Sequence, residues 1–141
     1  MRLGVTVCIL LLSSPTLALA QDAASGEKIF TQCRACHQIG ETAKNGVGPH
    51  LNGLFAPRKA GSLEGYSYSP ANKNSGLTWD EATFTDYIKD PRAKIPGTKM
   101  VYAGLKDEKR IQDLIAYLKQ FDATGKRTSD LGRSNAAFAS R

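Results

Sequence analysis

The run Cys33-Arg34-Ala35-Cys36-His37 constrains this chain more than any other stretch. Two thiols three residues apart share one face of a helical turn, so both sulfurs can add to the two vinyl groups along one edge of a haem. The histidine that follows can place a ring nitrogen at an axial position on the iron, and Cys-x-x-Cys-His is the pattern of covalent haem c attachment. Two other chemistries use closely spaced cysteines. A thioredoxin-like dithiol needs a βαβ context, and half of a zinc site needs a second pair of ligands. The sequence offers neither: no further cysteine follows Cys36, and His50 is the one other histidine.

The first twenty residues bear on where such chemistry takes place. Arg2 precedes an apolar run from Leu3 to Leu12, and small residues end at Ala18-Leu19-Ala20 before Gln21. This is the pattern of a secretory signal peptide cleaved after Ala20, since a membrane span needs roughly 20 apolar residues. The alternative is a retained anchor. Cleavage would remove Cys8 and Met1, leaving the two motif cysteines and a single methionine, Met100, in an exported, periplasmic protein. The absence of further cysteines argues against a disulfide framework. Loss of Arg2 lowers the formal charge from +6 to +5. Such a basic balance suits acidic partners, or serves solubility alone. Aromatic and basic residues are not interleaved as in a nucleic-acid motif, so no nucleic-acid partner is expected.

The 141 residues suit one domain. Asp22 can cap a first helix running to about Gln32, with Ile29 and Phe30 on its apolar side and Gly26 where another helix could approach closely. Residues 40–76 are rich in Gly, Asn, Ser and Pro and show little periodicity, which predicts a long irregular wrap around a rigid cofactor. Thr78-Trp79-Asp80-Glu81 has a capping-box pattern and predicts a helix to about Lys89, stopping at Asp90-Pro91, with Phe84, Tyr87 and Ile88 buried. Ile95-Pro96-Gly97 predicts a turn that carries Met100 inward. Asp107 can cap a last helix whose Ile111, Leu114, Ile115 and Leu118 share one face. The first helix is the expected partner of that face, with Phe30 and Tyr117 meeting there. Residues 122–141, with only Leu131 and Phe138 as large apolar groups, read as a mobile tail, either solvated or docking on a partner or a membrane surface.

The iron's second axial position is the remaining question. Met100 is the one thioether of the exported chain and follows a Pro-Gly turn; a lone methionine is usually core packing, but here it is the leading candidate ligand. His50 is the competitor, although a loop histidine beside Pro49 is more often structural. Methionine and histidine together close the iron to other ligands and favour electron transfer.

Taken together, Gly26 to Phe30, Cys33 to His37, Gly48 to Phe55, Ala71 to Asn74, Thr78-Trp79, Ile95 to Met100 and Leu114 to Leu118 resemble a class I cytochrome c of the bacterial cytochrome c2 type, close to mitochondrial cytochrome c. The resemblance covers about residues 26–121. It implies an all-α fold around one haem c, with Cys33 and Cys36 as thioether attachments and His37 and Met100 as axial ligands. It further implies that the Pro49 carbonyl accepts the outer N–H of His37, with Gly48 allowing its approach. By the same likeness Tyr68 and Trp79 bond a buried propionate whose charge Arg58 offsets. Tyr87 and Thr98 then lie near the Met100 sulfur and an inner propionate, and Asn72 holds a buried hydrogen-bond network.

The implied organisation is a signal peptide at 1–20, a cytochrome domain at 21–121 and a tail at 122–141. The implied function is a monomeric periplasmic electron carrier, not an enzyme. It would run from a cytochrome bc1-type complex to an oxidase or photosynthetic reaction centre and dock through a basic haem edge that includes Lys28, Arg92, Lys99 and Lys106. Two departures from the family pattern stand near that edge: Tyr102 replaces a phenylalanine, and Gln32 and Asp107 fall where lysines are common. Rival functions are a peroxidase-like enzyme, a dehydrogenase subunit or a haem sensor. For the first, no distal acid and base are paired; for the last, no second domain is evident.

Overall fold

A computed structural model describes residues 21–128; the expected signal peptide and residues 129–141 of the expected tail lie outside them. The described chain holds five helices and no strand, only two isolated β-bridges. The helices are α1 (Ala23–Phe30), α2 (Pro70–Lys73), α3 (Glu81–Lys89), α4 (Pro91–Lys94) and α5 (Glu108–Leu118). The all-helical expectation therefore holds.

Helix α1 starts where its cap predicts. Asp22 Oδ1 accepts from the Ala24 N–H at 2.9 Å and Oδ2 from the Ser25 hydroxyl at 2.7 Å. The same residue's backbone N–H donates to Asp113 Oδ1 on α5, so the cap also fastens the two helices together. Between them lies Gly26. A Cβ there would sit 2.0 Å from the Asp113 carbonyl oxygen, so only glycine permits this crossing. One turn on, the rings of Phe30 and Tyr117 meet with centroids 5.4 Å apart. Asp113 is buried at 4 % exposure and is bonded by Lys109 Nζ as well as by Asp22.

The α-helical pattern ends at Phe30, two residues before the expected end. Thr31, Gln32 and Cys33 donate to residues three back, to Lys28, Ile29 and Phe30, which tightens the chain into the haem motif. The N–H groups of Cys36 and His37 then share the Cys33 carbonyl in a single turn.

Three expectations are corrected. The capping box at Thr78 does not form: Asp80 is the N-cap of α3, its Oδ1 accepting from the Thr83 N–H at 2.7 Å. Thr78 is taken up in a bridge to Lys59, flanked by bonds from Trp79 to Arg58 and from Ala60 to Leu77. Second, the 40–76 wrap is not wholly irregular, because Ser69 caps the short α2 with Pro70 at its start. Likewise Asp90-Pro91 ends α3 but also opens α4, Asp90 Oδ1 accepting from the Ala93 N–H. Third, residues 122–128, assigned to the mobile tail, pack on the domain. Phe121 and Arg127 form a bridge, and Thr128 N–H donates to the Gln120 carbonyl. The Arg127 guanidinium lies 5.1 Å from the Phe121 ring centroid and 3.5 Å from Glu27 of α1. A cation over an aromatic face and an ion pair together offset the cost of ordering this short segment.

Two outcomes follow. Gly26→Ala, forced against the Asp113 backbone, is expected to cost about 2 kcal/mol of the haem-loaded protein's stability in denaturant titration, and an unchanged midpoint would contradict the crossing. The Thr83 backbone and hydroxyl hold the Asp80 carboxyl below its ordinary value of 3.8. Its folded pKa is thus depressed, so its stabilisation is present above that value and is lost as pH falls through the folded value. Asp80→Asn keeps a cap acceptor but does not titrate. Acid unfolding curves should therefore show a shallower fall below about pH 4 for the variant.

Candidate haem site

Helices α1, α3 and α5 enclose one side of an apolar cavity of about 400 Å³, and the long loops enclose the other. Its walls include Phe30, Leu54, Phe84, Ile88, Leu114 and Leu118, so the buried faces predicted for three helices converge on one space. Cys33, Cys36, His37 and Met100 all open onto it. The two cysteines are unbridged, Cys33 half-buried and Cys36 exposed. Burial, with the neighbouring Cys36 adding to it, pushes the Cys33 thiol up to about 11.

His37 is held in one tautomer. Its Nδ1 lies 2.7 Å from the Pro49 carbonyl, which can only accept, so Nδ1 carries the hydrogen and Nε2 keeps its lone pair. Burial pulls this imidazole below its ordinary value; the Pro49 bond opposes that, and Arg58 adds to it. The ring is therefore neutral, the form a metal requires. Gly48 makes the approach possible: a Cβ there would lie 2.4 Å from His37 Cε1, and its N–H donates to the Cys36 carbonyl.

The Pro96-Gly97 turn behaves as its sequence predicts, with Gly97 at φ +91° and the Thr98 N–H donating to the Ile95 carbonyl. It delivers Met100 half-buried into the cavity. The Tyr87 hydroxyl donates to the Met100 sulfur at 3.0 Å, and Thr98 Oγ1 accepts from the Met100 N–H. Trp79 stacks edge-on against Tyr87, centroids 4.9 Å apart. Arg58 donates to the carbonyls of Asn52 and His50 while lining the cavity, and Tyr68 lines it beside Tyr66. The network expected at Asn72 is only partly present. Its backbone is bonded by Ser69 and Ser75, but its buried Oδ1 has no protein partner. His50 lies outside the cavity lining, so the competitor ligand is not brought to the site.

Sequence reasoning missed several lining residues. Tyr66 donates its hydroxyl to the Val47 carbonyl across the loops, and Val47 and Val101 stand 77 % and 82 % exposed at the cavity's edge. Tyr66 shares the aromatic, alternating stretch of Tyr68, which is the signal that could have found it. Exposed valines carry no such signal.

Three observations test the fit of a haem. Both motif thiols and a neutral imidazole face one apolar space. Gly48 leaves room at the histidine for a backbone that a side chain would displace. The unpartnered Asn72 amide, whose two ends interchange by a half-turn, offers a buried polar contact for a carboxylate. No cluster of three His, Cys, Asp or Glu side chains among the described residues could serve a zinc ion instead.

Comparison with known proteins agrees. The family model described as Cytochrome c matches residues 23–122. The cytochrome c2 of Blastochloris viridis is 60% identical over 125 residues, covering 89% of this chain and 98% of that protein. The cytochrome c-550 of Nitrobacter winogradskyi is 58% identical, covering 74% and 95%. Among solved structures, cytochrome cH from Methylobacterium extorquens superposes with a TM-score of 0.65 at 52% identity, covering 70% of this chain and 97% of that one. Cytochrome c2 from Rhodospirillum centenum gives 0.68 at 39% identity, covering 72% and 98%. With its attachment motif and cavity, the chain belongs to the cytochrome c family, electron carriers that each hold one covalently attached haem c.

Proposed function

We propose that this protein is a monomeric periplasmic carrier of the cytochrome c2 type, taking electrons from a bc1-type complex to an oxidase or reaction centre. Residues 1–20 direct its export. The bound haem supplies a one-electron couple, and every other requirement falls to the chain. Cys33 and Cys36 hold the haem covalently, and His37 and Met100 ligate its iron. Pro49 fixes the His37 ring and raises its basicity by accepting the Nδ1 hydrogen. The Tyr87 hydroxyl holds the Met100 sulfur in place. Arg58, Tyr68, Trp79, Asn72 and Thr98 serve the propionates, which are costly to bury without donors or a counter-charge. The apolar walls keep water away, so little solvent reorganises when the electron moves.

One observation carries this reading: a neutral imidazole and the chain's one described thioether meet across a single cavity, each oriented by its own hydrogen bond. The oxidised protein, matured in a periplasm, should show the charge-transfer band from methionine sulfur to ferric iron, and Met100→Ala should lose it. Covalent haem without that band in the parent would defeat the axial assignment.

Docking rests on charge at the rim. Lys28, Arg92, Lys99 and Lys106 are exposed, and none pairs with a described carboxylate, whereas Lys89, Lys94 and Lys119 each do. Lys99 also lines the cavity. Unpaired cations of this kind accelerate encounter with an acidic partner and make it salt-sensitive. Reversing the charge of Lys28, Arg92 and Lys99 together should slow reduction by a purified bc1-type complex at low salt by about tenfold or more and flatten its ionic-strength dependence. Unchanged kinetics would remove these residues from the docking surface.

A further inference from the structure

The segment that carries Met100 is weakly tied behind that residue. Between Met100 and Leu105 no backbone N–H donates a hydrogen bond to a described residue, and Val101 stands 82 % exposed. The Leu105 N–H, donating to the Ile88 carbonyl, is the next main-chain anchor. One polar contact bridges the gap. The Tyr102 hydroxyl donates to Gln32 Oε1 at 3.1 Å, joining the methionine segment to the residue that immediately precedes Cys33, seventy positions away. Both side chains line the cavity. Both residues also depart from the family pattern, as does Asp107, which caps α5. The pairing uses both side chains: the tyrosine hydroxyl donates, and the glutamine amide supplies an acceptor.

We propose that Tyr102 and Gln32 form a clasp across the cavity mouth that keeps the Met100 segment closed against foreign ligands. This rests on Met100 being the axial ligand. A small ligand such as imidazole must break the bond from iron to sulfur before forming its own, with no electron transferred, and the Met100 segment must move aside to admit it. Opening breaks the clasp. Tyr102 and Gln32 are positioning residues, acting through Met100, and their contribution is an opening frequency.

The experiment uses the haem-loaded, oxidised protein with imidazole as probe. Tyr102→Phe removes the hydroxyl alone and Gln32→Ala the acceptor alone. Each should raise the rate of imidazole binding about fivefold, the range expected for one solvent-accessible hydrogen bond. The double variant should be no faster than either single one, because both remove the same bond. Gln32→Glu keeps an acceptor and should stay within about twofold of the parent. Amide hydrogen exchange at Thr98, Met100 and Leu105, the bonded N–H groups on either side of the gap, should quicken in the Phe and Ala variants and stay parental in the Glu variant. Parental binding rates and exchange in the single variants, or effects that multiply in the double, would overturn the clasp. The exchange measurement reads the segment whether or not Met100 binds iron. Absence of the sulfur charge-transfer band in the parent would therefore defeat the axial reading, and unchanged exchange would defeat the clasp.

Discussion

The close crossing of α1 and α5 at Gly26 is the constraint from which the rest of the structure follows. With backbone against backbone at Asp113, the two helices cannot slide without a steric clash, and the Asp22 cap pins their register with a second bond to the same residue. That register decides where both walls of the cavity lie. Three residues past Phe30 the chain delivers Cys33, and on α5 the turns after Asp113 place Leu114 and Leu118 into the same space. Segment 122–128 continues the construction: Gly53 packs its Cα against Ala123, and Gly125 against Gly40 and Asn52, so the segment that follows α5 braces the loop that carries Pro49.

Much of this was legible where a residue's role is local. The caps at Asp22 and Asp107, the α5 stripe, the Pro96-Gly97 turn and the attachment motif each depend on neighbours within a few positions, and the structure contains all of them. The capping box at Thr78 failed for a non-local reason. Thr78 was claimed by Lys59, and Asp80 stood free to cap in its place. The order of residues 122–128 was equally invisible, since composition alone reads them as solvated. What orders them is Glu27 and two aromatic rings brought close by the α1 and α5 crossing. The partnership of Tyr102 with Gln32 belongs to the same class: each looked like an isolated departure until the fold brought them together.

The site's electrostatics show one device used repeatedly: polar groups near the cavity are held by backbone groups of the loops. His37 is held by the Pro49 carbonyl, and Arg58 by the carbonyls of Asn52 and His50. Burial pulls His37 and Arg58 both toward their neutral forms, yet the guanidinium's ordinary value is so high that it stays charged. One cation therefore faces the interior beside a neutral imidazole. That arrangement suits a cofactor carrying carboxylates at one edge and a metal at its centre.

The two sides of the cavity differ in how firmly they are built. Around His37 the loop is meshed by main-chain bonds and by a side chain that mimics them. Gly48 donates to Cys36 and Leu51 to Gln38, and the Asn52 amide bonds both polar groups of Gly40. Opening that side requires several bonds to break together with the Gly53 contact to Ala123. Around Met100 the ties are mostly side-chain contacts, from Tyr87, Thr98, Lys99 and Tyr102, and each can be lost singly. Local stability follows the number of bonds that must open at once, so the histidine side belongs to the stable core and the methionine side to the part that opens first. An electron carrier of this build keeps its cofactor through any fluctuation of the methionine segment. The cost of that fluctuation is set by a few identifiable side chains.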